Sequence, residues 1–225
     1  MHAPTDTMAD KTSPFRTAEQ RESDRNAKRQ AVLRAAVRMF NERGFHATSL
    51  EEVATSLGIT KPTIYHYLGN KEQVLIECMT IGLIQLQEAA AKARAEPGTA
   101  VDRLRGFLKR YAEVNMAEFG QCVIRTGDEL LSPEGLEKLR SLKRPIDDAM
   151  RSFISEGIEE GSIAPHDPKM LAFTLAGALN WPARWYDTSG ELSSAEIAEQ
   201  LVAILETGFS PRAGIRHKTR SQGRK

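Results

Sequence analysis

LGITKPTIYHYLGNKEQVL, residues 57–75, sets an unusual set of side chains on one short helical stretch. A plain amphipathic helix would carry Glu, Lys, Gln and Ala on its wet face. This one carries Thr60, Lys61, Thr63, Tyr65, His66 and Tyr67 directly after a Leu-Gly turn, and no Asp or Glu lies between Leu57 and Lys71. Such a face suits a helix that must approach a polyanion. Lys61 can meet a phosphate or a guanine. Thr methyls can touch thymine methyls, and Thr hydroxyls can bond a base edge or a phosphate.

The flanking residues give the stretch its frame. Val32, Leu33, Ala36, Val37 and Phe40 recur at three- and four-residue spacing, the period of an amphipathic helix, and Gly44 ends it, with Phe45 folding back on its last turn. Thr48 or Ser49 caps a second helix, with Glu51 or Glu52 completing a capping box, and Gly58 closes it. Thr60 caps a third helix with Pro62 in its first turn, where no backbone donor is needed. Two short helices joined by a tight Gly turn make a helix-turn-helix. Val53, Ala54, Leu57, Ile59, Ile64 and Tyr67 are expected to point inward. Thr60, Lys61, Pro62, Thr63, Tyr65 and His66 are expected to face a DNA groove. Thr48, Ser49 and Lys71 are expected to hold phosphates at the starts of their helices.

Residues 35–75, AAVRMFNERGFHATSLEEVATSLGITKPTIYHYLGNKEQVL, resemble the TetR family of transcriptional regulators. The chain keeps nearly all of the run G-F-x-A-T-S into I-A-x-x-x-G-V-S-x-x-x-x-Y-x-x-F-x-x-K-E. Leu68 stands where Phe is usual and Val53 where Ile is common, both still apolar. The resemblance implies an all-α homodimer with a three-helix DNA-binding domain and a larger helical domain that binds a small ligand and holds the dimer. Repression is the family's usual mode. LAGALNWPARWY and LSSAEIAEQLVAILETGF look similar to the last two helices of regulators of lipid or acyl-thioester catabolism, which points loosely to a lipid or acyl-thioester effector.

The remaining chain also reads helical. Asn70 caps a long helix to about Arg94. Further helices are expected over 101–119, 123–131, from Ser132 with a break or kink at Arg144 before Pro145, from Asp167 through Leu179, and from Ser193 to about Gly208. The expected division is a disordered arm over 1–24, a DNA-binding domain over 25–71, a ligand-binding and dimerisation domain over 72–210, and a basic tail over 211–225. That tail, with six Lys or Arg and no acid from Arg212 onward, reads as a solvated segment or a phosphate-binding arm.

Dimerisation is expected through an apolar stripe of Leu175, Ala178, Leu179, Ile197, Leu201, Ile204 and Leu205, with the small residues Ala176 and Gly177 allowing close approach; the less favoured alternative is that these residues form intrachain core only. Phe107, Tyr111, Met116, Phe119, Phe153, Phe173, Trp181 and Trp185 are the candidates for an apolar ligand pocket, though each is also an ordinary core residue. Arg125 and Arg184 could serve an anionic head group.

Bulk properties narrow the alternatives. A formal net charge of +1 excludes a uniformly basic surface, so duplex contact must come from local clustering. Two distant cysteines, Cys78 and Cys122, form no disulfide framework and suggest a reducing cytoplasm. The first residues have no apolar core of a signal peptide, and the apolar run 170–181 is too short to span a bilayer, so no membrane is expected. The five histidines show no metal-ligand spacing and no nucleophile motif is present, so neither a cofactor nor an enzyme is expected. A helical protein-interaction module or an activator is the remaining alternative.

Overall fold

The computed structural model describes residues 17–209, all of whose regular elements are helical. Ten α-helices run α1 (Ala18–Arg43), α2 (Leu50–Ser56), α3 (Lys61–Leu68), α4 (Lys71–Ala95), α5 (Ala100–Met116), α6 (Glu118–Arg125), α7 (Pro133–Glu159), α8 (Pro168–Asn180), α9 (Pro182–Trp185) and α10 (Ser194–Phe209), with a 3-10 turn at Asp128–Leu130. The expected all-α architecture holds, with a small helix-turn-helix head on a larger helical body. The basic tail and residues 1–16 of the expected arm lie outside the described residues.

Local chemistry starts most of the helices. Ser49 with Glu52, Asn70 with Gln73, and Thr99 with Asp102 each form reciprocal capping boxes. Asp167 caps α8, accepting from the amides of Lys169 and Met170. Thr17 and Gln20 also form a capping box, so α1 begins at Ala18, and residues 18–24 are helix where an irregular arm was expected.

Two further expectations change. The helix over 101–119 ends at Met116, because Ala117 turns extended (φ −76°, ψ 161°) and α6 starts anew at Glu118. Pro145 does not break α7. Its side is solvent-exposed, so the Ser141 carbonyl that loses its donor meets water, and the neighbouring Leu142 carbonyl accepts from Gln87 Nε2 of α4 at 2.8 Å.

The head packs Val32, Leu33, Val37, Leu50, Val53, Ala54, Ile64 and Leu68 into one core, each at 4% exposure or less. Gly58 turns the chain between α2 and α3 at φ +64°, a conformation costly for other residues. Leu57, expected inside, closes α2 and is 38% exposed; Leu50 and Leu68 fill the interior instead.

Helix α4 joins head and body. By length and composition it could cross a membrane, yet half of its apolar window is buried inside the protein, with Val74, Leu75, Cys78, Met79, Leu83 and Leu86 all in the core. It packs on α1 and α3 at one end and on α5, α6 and α7 along its length. Gly82 lets α6 approach closely: a Cβ there would sit 2.7 Å from the Phe119 carbonyl oxygen. Glu72 of α4 accepts from the amide of Ser132 at 2.7 Å, tying the start of α4 to the start of α7.

Candidate nucleic-acid interface and effector cleft

The third helix is anchored by one face and open on the other. Ile64 and Leu68 are buried, while Lys61, Pro62, Tyr65 and His66 are exposed and Thr63 is half-buried. Thr60 occupies the cap position, but its hydroxyl pairs with the Thr63 hydroxyl at 2.8 Å rather than with a backbone amide. An acid sits beside this face after all. Glu51 of α2 lies 2.5 Å from Lys61 Nζ and accepts from the Tyr65 hydroxyl at 3.4 Å. The hydrogen bond from Lys61 holds the Glu51 carboxyl below its ordinary range, and Glu51 in turn raises the Lys61 ammonium. Spacing within residues 57–71 could not reveal this acid, because it belongs to the preceding helix.

The flanking phosphate candidates divide. Thr48 is 1% exposed, and its hydroxyl donates to the carbonyls of Met39 and Gly44 at 3.1 and 3.0 Å. It locks the end of α1 rather than facing outward, which corrects the expectation for that residue. Ser49 is half-exposed at the start of α2. Lys71 lies against the Phe45 ring, 4.3 Å from its centroid, and donates to the His46 carbonyl at 3.4 Å. Partial burial pulls its ammonium below the usual range. Lys71 and Ser49 line a notch of about 250 Å³ on one flank of α3, with His46, Glu52 and Tyr65. On the other flank, Arg21, Asp24, Arg25 and Lys28 of α1 form a second notch of about 260 Å³ with His66 and Tyr67. These α1 residues were missed because Arg21 and Asp24 lie in the segment that reads as an arm and Arg25 and Lys28 precede the apolar periodicity that starts at Val32, although the basic residues at 21, 25 and 28 already share a helical face.

The residues expected to line an apolar pocket in the body divide. Phe107 and Phe153 are fully buried with ring centroids 5.8 Å apart, and Tyr111 and Phe119 are each 7% exposed. Phe173, Trp181 and Trp185 are instead 51%, 64% and 51% exposed. The Tyr111 hydroxyl and the Asn115 amide both donate to Asn180 Oδ1 at 2.9 Å, a buried polar knot that the sequence pattern hides. Burial raises the Tyr111 phenol.

A cleft of about 1000 Å³ lies between head and body. Arg34, Arg38, Met116, Phe119, Gln121 and Trp185 contribute to its walls. Arg125 reaches it too, but its guanidinium donates to the carbonyls of Ala183 at 2.7 Å, Asn41 at 3.0 Å and Arg184 at 3.5 Å. It is therefore engaged in joining α1 to α9, and Arg184 donates to the Ile124 carbonyl at 3.4 Å.

The expected dimer stripe also splits. Leu175, Leu179 and Ile197 are buried within the protomer, whereas Ala178, Leu201 and Leu205 are partly buried and Ile204 is 67% exposed. Met170 on α8 and Trp181 just after it, both exposed, extend the apolar surface beyond the expected residues.

Residues 32–78 match the family model for bacterial regulatory proteins of the tetR family, and residues 97–209 match the tetracyclin repressor-like C-terminal domain. The HTH-type transcriptional repressor KstR2 of Mycolicibacterium smegmatis is 25% identical over 195 residues, covering 85% of this chain and 95% of that protein. The TetR-family regulator PfmR of Thermus thermophilus is similar in structure, at 28% identity and a TM-score of 0.72, covering 77% of this chain and 96% of that one. AibR, solved in complex with isovaleryl coenzyme A and operator DNA, is 26% identical with a TM-score of 0.70, over 79% of this chain and 97% of that one.

Proposed function

Because the chain belongs to the TetR family of transcriptional regulators, we propose that it is a homodimeric repressor which binds a palindromic operator and leaves it when a small, mostly apolar effector binds. The chain is a DNA-binding regulator and not an enzyme. The observation that carries the reading is α3: Ile64 and Leu68 fix it to the head while Lys61, Tyr65 and His66 stand clear. One such helix reads few base pairs, and two held about 34–36 Å apart read a palindrome. Met170 and Phe173 of α8 and Trp181 just after it, with Ile204 of α10, provide an exposed apolar face that a second copy would cover.

An acyl thioester is the effector class we favour, supported by the likeness to AibR, whose structure holds isovaleryl coenzyme A. The head–body cleft offers Arg34 for a charged carrier, beside Arg38, whose ion pair with Glu118 at 2.5 Å such a carrier would have to exchange, and Phe119 and Trp185 for apolar contact. Ligand would act through α4 and α6, which touch both halves, and releases DNA only if it binds the non-reading dimer shape more tightly. The cytoplasm is the compartment such a regulator requires.

The test selects duplexes from a random pool with the full chain. The expected result is an inverted repeat, bound by two protomers and released by an acyl-coenzyme A of short chain. Selection of no sequence would overturn the DNA reading; a bound repeat insensitive to acyl-coenzyme A would overturn the effector class alone.

A further inference from the structure

Helix α1 overhangs the head. Its first core residue is Val32, and three residues earlier Arg29 ties it to α3 and α4, donating to the Tyr67 carbonyl at 3.3 Å and to Glu77 Oε2 at 2.7 Å. Ahead of Arg29 the helix projects from Ala18 to Lys28, about 16 Å at 1.5 Å per residue. This projection begins with a full capping box, in which Gln20 and Thr17 bond each other's backbone.

The side chains of this projection are sorted. The line Val32, Ala36 and Phe40 marks the inward face of α1, and stepping back along it by three and four residues gives Lys28, Arg25 and Arg21. Apolar residues therefore give way to cations where the face leaves the core. All three are exposed and share one notch with His66 and Tyr67 of the recognition helix. Among the described residues, Asp24 is the single carboxylate lining that notch, and Glu19 and Glu22 do not line it. His66 belongs to the open face of α3, so the three cations stand alongside that face. From Arg21 to Lys28 the strip spans about 10 Å, the rise of about three phosphates along one strand. These residues precede the stretch 32–78 that the family model matches.

We propose that Arg21, Arg25 and Lys28 form a second, sequence-independent phosphate track, a rigid helical outrigger that grips the duplex backbone beside the groove entered by α3. The proposal rests on the DNA-binding reading and adds a set of contacts outside the helix-turn-helix. Because the cations ride on a capped helix rather than a loose tail, less ordering is needed on binding, and the track also fixes the head's register on the backbone.

The test measures affinity of the full chain for a mixed-sequence duplex of about three helical turns, by fluorescence anisotropy, as NaCl rises from about 50 to 200 mM. Each phosphate contact contributes about 0.9 to the slope of log affinity against log salt. The variant Arg21→Ala/Arg25→Ala/Lys28→Ala is expected to flatten that slope by about 2 to 3 per protomer. Sequence preference in a random-pool selection is expected to stay unchanged. Alanine is the strongest helix former, so helical content by circular dichroism should be preserved. The charge-keeping variant Arg21→Lys/Arg25→Lys should retain the wild-type slope. An unchanged slope in the triple alanine variant overturns the outrigger while leaving the DNA reading intact, and so does an equal loss in the lysine variant. Wild-type protein that binds no duplex overturns both.

Discussion

Lys61 and Glu51 form an ion pair, Nζ to Oε1 at 2.5 Å, across the turn of the helix-turn-helix. Both are exposed, so the pair contributes little to folding, but it occupies the one lysine of the recognition helix. Approach of a duplex must exchange this carboxylate for a phosphate. Glu51→Gln should therefore tighten binding to duplexes of every sequence by up to about fivefold, with a steeper salt dependence. Lys61→Ala should reverse both effects and alter the selected sequence. Titration of labelled duplex into each variant checks this.

Arg29 and Glu77 pin α1 to α4, and their environment sets a pH dependence. Burial raises the Glu77 carboxyl above its ordinary value, against the lowering pull of Arg29 and Lys138. A raised carboxyl pKa means that the folded chain holds the proton more tightly than the unfolded chain. Stability from this group is thus greatest below the unfolded value and falls as pH climbs through the folded one. Arg29→Ala removes a lowering partner, so the window moves upward and the loss at neutral pH grows. The expected cost is about 1–2 kcal/mol at pH 7, shrinking as the protein is acidified toward about pH 5. Adding Glu77→Gln should recover much of the loss at neutral pH. Thermal melts across that range of pH decide it.

Gly82 is where α4 and α6 come nearest. A methyl group there meets backbone, the Phe119 carbonyl oxygen at 2.7 Å and carbon at 2.9 Å, so a helix must move. Gly82→Ala should cost about 1–3 kcal/mol through overpacking, despite the better helix propensity of Ala. Urea unfolding reads the change as a lower midpoint at constant slope.

Ile204, at 67% exposure, tests the proposed dimer face without disturbing the protomer core. Ile204→Glu should halve the mass measured by light scattering, keep the far-ultraviolet dichroism, and weaken binding to an inverted repeat at least tenfold. Ile84→Glu, a comparable change at a 41% exposed site on α4, should leave the mass unaltered.

Much of this arrangement was legible because its determinants are local. Ser49, Asn70, Asp167 and Ser193 announce helix starts by hydrogen bonds to amides two or three residues on, and Gly44, Gly58 and Gly69 take positive φ where a turn is needed. What escaped depends on neighbours distant in sequence. Pro145 is tolerated because it lies on the solvent side and Gln87 supplies a donor next to it. Phe107 and Phe173 look alike as letters, yet one is sealed against Phe153 and the other stands under Arg151 and Lys169 at the surface. Periodicity shows that a helix has an apolar side but not which element will cover it. Thr48 was misjudged for a related reason: a hydroxyl at a helix start can turn either outward or back to the carbonyls of Met39 and Gly44.

Arg125 carries a consequence for the proposed dimer. One planar side chain grips the Asn41 carbonyl near the end of α1 and the Ala183 carbonyl just beyond α8. In a dimer joined through α8, that guanidinium behaves as a ruler, transferring the separation set at the symmetry axis to the separation of the two reading heads. A molecule that loosened its grip would leave both heads folded and both halves paired, yet mismatched to the pitch of the duplex.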